Sequence, residues 1–267
     1  MGLNARMLRL LVELRVSGLL NAHSVVEIGA QQLSDSFLED VDGIQSAFEA
    51  FGRPRIDLPS ARGDRSLRAD APAARVFYEA VGLSYASIDI DGSPSAIPLD
   101  LNYDRVPARM RGAFGLVTNF GTTEHIANQL NAFKAAHELA EPGGIMMHEV
   151  PAQGSMNHGL FSYHPKFFWA LARENDYRWL SFDFSWSHER ESLDDATLEE
   201  LRQYVDVDSR EPFSCQEAAL VVVLQKRRNT RFRPPIDGPP PLPRWYQLAE
   251  RATLSFVSAL KKNKHGR

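Results

Sequence analysis

Short apolar runs alternate along this chain with stretches of helical period. The first run, Ser24-Val25-Val26-Glu27-Ile28-Gly29, has apolar residues at odd and even positions, the pattern of a parallel strand covered on both faces. Further runs predict strands over 85–90, 96–99, 114–118, 145–150, 177–186 and 218–224, with Pro98 limiting the third to a short or edge strand. Helical spacing predicts helices over 5–19, 34–51, 72–81, 122–141, 163–174 and 194–204. Leu8, Leu11, Val12 and Leu19 face a core from the first helix, and Asp35 or Ser36 caps the second. In the fourth, Ile126, Leu130, Phe133, Ala136 and Leu139 share a face, and Pro142-Gly143-Gly144 stops the helix. Strands alternating with helices predict an α/β fold with a doubly wound, mostly parallel sheet.

Composition changes this picture little. At 267 residues, 43% of them hydrophobic and 24% charged, the chain is long enough for one sizeable core with additions. A formal net charge of -4 gives no electrostatic reason to expect nucleic acid as a partner. The one cysteine, Cys215, excludes an internal disulfide and any multi-cysteine metal site, and fits a cytoplasmic location. No apolar run reaches the roughly 18 residues that would span a bilayer, so no membrane partner is expected. The arginines between Arg53 and Arg68 read as a surface excursion, either a solvated run or an anion-binding surface. Pro234, Pro235, Pro239, Pro240, Pro241 and Pro243 predict an extended strap before a terminal helix over 245–261. The expected division is therefore a body over 1–228 and an extension over 229–267, which would cover the sheet edge or close a homodimer.

The chemistry starts at Glu27. A carboxylate at the carboxyl end of a buried strand needs a partner, and that end is where open α/β sheets bind ligands. Gly29, lacking a Cβ, would let a ligand approach the backbone. A ribose, with two adjacent hydroxyl donors, matches a carboxylate that only accepts.

The ordered set of strand tips resembles the class I S-adenosylmethionine-dependent methyltransferases, over roughly residues 24–185. The set is Glu27-x-Gly29 after the first strand, Asp89 at the end of the second (Asp91 if the register shifts by two), then Leu99-Asp100. Asn119-Phe120-Gly121-Thr122-Thr123-Glu124-His125 and Glu141-Pro142-Gly143-Gly144 follow. Gln31 and Leu33 stand where that family has its second and third loop glycines, and Gly115 where an Asp is usual. The resemblance implies a Rossmann-like fold of seven strands and S-adenosyl-L-methionine as cofactor. It implies Glu27, Gly29 and Gln31 at the amino-acid tail and Asp89 on the ribose. Asp100 with Leu101 would read the adenine, and Asn119 with Phe120 would lie near the sulfonium and its carboxylate. The function implied is O- or N-methylation of a small-molecule or sugar-like acceptor. The competing readings are a methyltransferase-like scaffold without catalysis and a nicotinamide-dependent oxidoreductase. The second would want G-x-G-x-x-G with an acid about 20 residues on, and the chain has neither.

A base for the acceptor would come from the histidines after strands four and five. His158, on a glycine-containing loop, is the first candidate, and His148, anchored on a strand end, is the second. His125 shares the cleft mouth, whereas Pro165 gives His164 a helix-start role. These histidines lack a fixed ligand spacing such as H-E-x-x-H, so no metal is expected.

Overall fold

A computed structural model describes residues 2–58, 73–90, 96–153, 158–186 and 218–238. In chain order the elements are α1 (Ala5–Val16), β1 (Ser24–Ile28), α2 (Asp35–Glu39), α3 (Val41–Ala50), α4 (Arg75–Ala80), β2 (Ser84–Asp89) and β3 (Ala96–Pro98). β4 (Phe114–Phe120), α5 (Gln129–Leu139), β5 (Ala140–Gln153), α6 (Pro165–Asn175), β6 (Tyr177–Trp186) and β7 (Ala218–Lys226) follow, with 3₁₀ turns at Ala108–Met110 and Thr123–His125. The helix expected at 194–204, the terminal helix at 245–261 and most of the arginine excursion lie outside the described residues.

The seven strands form one sheet in the order β3-β2-β1-β4-β5-β7-β6. Pairing is parallel from β3 through β5, and β7 runs antiparallel to both of its neighbours. The expected doubly wound, mostly parallel sheet is therefore present, with Pro98 on the edge strand β3 as its missing N–H requires. The direction of β4 across the sheet reverses the order begun by β1, β2 and β3, which makes the β1/β4 junction the switch point where such sheets bind ligands.

Strand alternation separates two cores. Val25, Leu116 and Phe120 face one side, which α1 to α4 cover with Leu8, Leu11, Phe37, Phe48 and Phe77. Val26, Ile28 and Val117 face the other, which α5 and α6 cover with Phe133, Leu139, Phe168 and Leu171. Each such fully buried side chain contributes about 1.5–3 kcal/mol, so the two faces account for most of the sheet's attachment to its helices.

Local chemistry sets the element ends. Asn4 Oδ1 accepts from Met7 N at 3.0 Å to start α1. The segment expected as one helix over 34–51 is two. Ser34 caps α2 by accepting from Phe37 N, and Asp40, held by Arg9 at 2.8 and 2.9 Å, caps α3. The helix expected from residue 122 is also interrupted: Asn128 caps a fresh start at Gln129, and the change of phase leaves Leu130 exposed while Phe133, Ala136 and Leu139 are buried. Pro142-Gly143-Gly144 does not separate helix from strand, because β5 already begins at Ala140 and contains it. The register between β4 and β5 shifts at Phe114/Leu116, and a Cβ on Gly144 would meet the Phe114 carbonyl at 3.0 Å. Gly115, where the resemblance expects an acid, has a packing reason: its Cβ would lie 2.8 Å from the Ala22 backbone.

After β7 the chain stays on the body. His137 Nε2 donates to the Thr230 carbonyl at 2.7 Å, and Arg233 N donates to Asn175 Oδ1 at 2.8 Å. The compact body runs as far as Pro235.

Candidate active site

The carboxyl ends of β1 and β2 bring the first two carboxylates together. Glu27 pairs in register with Ser87, and Asp89 lies two residues further along β2, so both acids belong to one face of the sheet. Glu27 is completely buried. Its Oε2 accepts from Tyr85 OH at 2.6 Å and from Gln31 N at 3.0 Å, whereas Oε1 has no hydrogen-bond partner. Burial pushes this carboxyl up to about 7, against the opposing pull of the bonds from Tyr85 and Gln31. Asp89 Oδ2 accepts from Ala30 N at 2.7 Å and Oδ1 from Ile90 N at 2.7 Å, so this acid also ties down the turn that leaves β1.

That turn is built differently from the expectation for Gly29. Gly29 has φ +81 and its N–H donates to the Ile88 carbonyl, but the space over its Cα belongs to Thr122. A Cβ there would fall 2.1 Å from Thr122 Oγ1, and Gln31 Nε2 donates to that same hydroxyl at 3.0 Å. The close approach that glycine permits is thus made by the loop after β4.

β4 continues to Phe120, two residues beyond the expected end, so Asn119 and Phe120 are its last two residues. Asn119 Nδ2 donates to Thr123 Oγ1 at 2.9 Å and to His148 Nδ1 at 3.2 Å, and its Oδ1 accepts from Thr123 N. Phe120 is in the core covered by α1 to α4. Asp100 heads a turn by accepting from Asn102 N at 2.8 Å, and its own N–H donates to Asp104 Oδ2. Leu101 is buried in the core, and its carbonyl accepts from Asn131 Nδ2 at 2.8 Å. The Asp100 turn still adjoins Asp89, because Leu99 N donates to the Asp89 carbonyl.

The two histidine candidates separate sharply. His148 is 1% exposed and lies against the rings of Phe133 and Phe168. Burial lowers it to about 3, so it is a neutral structural acceptor for Asn119 and not a group at a cleft mouth. His158 has a side chain 43% exposed, with Nε2 3.4 Å from Glu124 Oε1. His125 Nε2 is 4.0 Å from the same oxygen, and the two imidazole rings meet edge to face with centroids 4.9 Å apart. His164 caps α6, its Nδ1 accepting from Lys166 N.

Glu124 is the residue that sequence reasoning passed over. It is fully buried, neither carboxylate oxygen accepts a hydrogen bond, and burial raises its pKa. The loop bearing His158 is anchored to it: Leu160 N donates to the Glu124 carbonyl at 2.7 Å, and a Cβ on Gly159, at φ +72, would strike Glu124 Cγ at 2.9 Å. The available signal was a Thr-Glu-His triplet directly after a buried strand, together with a later glycine beside a histidine. Behind this cluster Tyr163 OH donates to Gln129 Oε1 at 2.7 Å and lies 3.0 Å from Thr123 Oγ1, which fixes the start of the 3₁₀ turn.

The residues present fit an adenosyl amino acid. Glu27 keeps a buried acceptor oxygen unmet, which suits an ammonium group.

The chain belongs to the methyltransferase-domain family, whose model matches residues 65–206, just over half of its length. It is a class I, S-adenosylmethionine-dependent methyltransferase. No curated protein sequence matches it. Among solved structures it is similar to the 1,6-didemethyltoxoflavin-N1-methyltransferase of Burkholderia thailandensis with bound 1,6-didemethyltoxoflavin and S-adenosylhomocysteine, at 11% identity and TM-score 0.44 over 83% of this chain and 78% of that one. It is also similar to StiE O-MT, at 11% identity and TM-score 0.43 over 85% and 75% of the two chains. A SAM-dependent methyltransferase from Archaeoglobus fulgidus is similar at 11% identity and TM-score 0.40, over 82% of this chain and 94% of that one.

Among the described residues no helix is long and apolar enough to cross a membrane.

Proposed function

We propose that the protein methylates a hydroxyl or amine of a small-molecule acceptor in the cytoplasm. Glu27, Asp89 and the Gly29–Gln31 turn would hold the cofactor, with the Asp100–Leu101 turn beside the adenine. The observation that carries this reading is that Glu27 and Asp89 share one sheet face at the carboxyl ends of β1 and β2, with Glu27 beside the β1/β4 switch point and its Oε1 buried and unmet. When bound, the cofactor supplies an electrophilic methyl group: its sulfur–carbon bond breaks as the new oxygen– or nitrogen–carbon bond forms, and a neutral thioether is left. Holding the acceptor in line with that methyl is the chain's main contribution to rate. The acceptor's proton goes to His158, whose exposed ring is backed by Glu124, so that the imidazolium formed sits beside a carboxylate.

Calorimetry with S-adenosylmethionine, S-adenosylhomocysteine, NAD and NADP tests the cofactor. Binding of the first two alone is expected, and binding of a nicotinamide cofactor instead would sink the reading. A panel of hydroxyl and amine acceptors, read as a mass gain of one methyl, then tests transfer. Cofactor binding with no transfer across a broad panel would favour a scaffold.

A further inference from the structure

We propose that Glu124, His125 and His158 form a binding site for a divalent transition-metal ion at the mouth of the methyl-transfer site. The inference goes beyond the methyl-transfer reading; the ion's binding does not rest on it, whereas its part in methylation does. Its basis is the coincidence of three donors of the right kind at the right separations. One carboxylate oxygen and two imidazole nitrogens all lie within 4.8 Å of one another. The gaps from Glu124 Oε1 are 3.4 Å to His158 Nε2 and 4.0 Å to His125 Nε2. A tetrahedral ion with bonds of about 2.0–2.1 Å places its ligands about 3.3 Å apart, so the His158 gap already matches, and His125, 4.0 Å from Glu124 Oε1, would draw inward on binding.

An ordinary ion pair leaves too much unexplained. Glu124 is completely buried, and the closest polar groups to its Oε1 are His158 Nε2 at 3.4 Å and His125 Nε2 at 4.0 Å, neither in good hydrogen-bond geometry. Burying an unmet carboxylate is costly, and folded chains satisfy buried charges by pairing or by coordinating metal. Among the described residues, the groups paired with Glu124 are two histidines, which carry charge only when protonated. A bound ion would satisfy all three donors at once. It would also explain why the His158 loop is pressed onto Glu124 so closely that residue 159 has to be glycine.

The donor set names the class of ion. Two imidazoles and one carboxylate suit zinc, manganese or iron, and are poor ligands for calcium or magnesium, which favour oxygen. Three protein ligands leave at least one position open, the arrangement of catalytic and not structural zinc sites. With His125 and His158 both partly exposed, that open position faces outward. An acceptor hydroxyl coordinated there would lose its proton to solvent at a lower pH, because the ion stabilises the alkoxide. His158 would then act as a ligand, and the proton would no longer pass to it.

The test is titration of the chelator-treated full-length protein with Zn2+ by calorimetry, with Co2+ visible absorption as a second probe. Binding is expected to weaken at least tenfold in Glu124→Gln, His125→Ala and His158→Ala, each checked for folding by circular dichroism. If those variants fail to fold, X-ray absorption of the Zn2+-loaded wild-type protein decides, and a first shell without imidazole nitrogen overturns the site. Failure of the wild-type chain to bind Zn2+, Mn2+ or Co2+ also overturns it, as does binding that the three variants leave unchanged. S-adenosylmethionine affinity measured on the same sample keeps the two readings apart. Normal cofactor binding without metal binding removes the cation site alone, and the reverse removes the cofactor assignment alone. Methylation should vanish on chelation and return with Zn2+ or Mn2+, and activity indifferent to chelation would restore His158 as proton acceptor.

Discussion

The carboxyl edge of the sheet has two halves, and they treat buried charge in opposite ways. At β1 and β2, Glu27 and Asp89 accept from Tyr85 and from the backbone of the adjoining turn, so these acids hold the loop that holds them. At β4 and β5, Glu124 is as deeply buried but accepts nothing, and two histidines stand in place of donors. The first half is complete as a scaffold, with one oxygen of Glu27 to spare. In the second half the described partners of the buried acid are the two histidines. Preorganised donors favour tight, specific binding of a fixed group, whereas unmet donors and acceptors favour chemistry on something that comes and goes.

The largest test of this contrast is His158→Ala. Turnover should fall about 100-fold, within the usual range for removing a general base, while cofactor affinity stays unchanged. A parallel loss of cofactor affinity would mean that the two halves are not separate. Next comes Asp89→Ala, expected to weaken cofactor binding by more than about tenfold, as the loss of a charged hydrogen-bond acceptor does. Since Asp89 also accepts from Ala30 N, its thermal unfolding should be compared with that of wild type, and unchanged affinity in a folded variant would falsify the ribose role.

A smaller effect separates Glu27 from its neighbours. Its folded pKa, raised to about 7 by burial, means that ionisation costs stability as pH rises from the ordinary carboxylate range through 7. The carboxylate is the form that pairs with an ammonium group, so cofactor affinity should strengthen severalfold between about pH 6 and pH 8. Tyr85 and Tyr78, which also face Glu27, remain neutral throughout because burial raises both. Glu27→Gln should flatten the profile, and a profile that keeps its slope would assign it to another group.

The smallest effect concerns His148, the histidine that resembles His158 in sequence and differs from it in place. Burial depresses its pKa to about 3, so the stability of its neutral form is present above the unfolded value of about 6.5 and is lost as pH falls below that. Denaturant unfolding should show about 2 kcal/mol less stability from this residue at pH 5 than at pH 7. His137, lowered to about 4 mainly by burial, adds to the same trend. His148→Gln should reduce the acid sensitivity and leave the pH profile of turnover where it was.

Much of this was legible in the chain. The alternation of strands with helices follows from apolar period, and the edge position of β3 follows from Pro98, because these signals are local. The placement of Glu27 and Asp89 near strand ends was legible because each stands near the end of an apolar run. β4 runs two residues past its expected end at Thr118, and Asn119 is held inside the fold by Thr123 and His148. His148 and His158 could not be told apart, since burial is a property of the packed helices and not of the neighbouring letters.

The sequence by itself determined that strands and helices alternate, that acids sit at successive strand ends, and that a glycine leaves β1. It could do so because hydrophobic period and turn chemistry act over a few residues. Only the tertiary structure decided that Thr122 covers Gly29, that His148 is sealed beneath Phe133 and Phe168, and that Glu124 meets His125 and His158. Those contacts join segments far apart in the chain, and they depend on where β4 ends and how its following loop closes over the sheet.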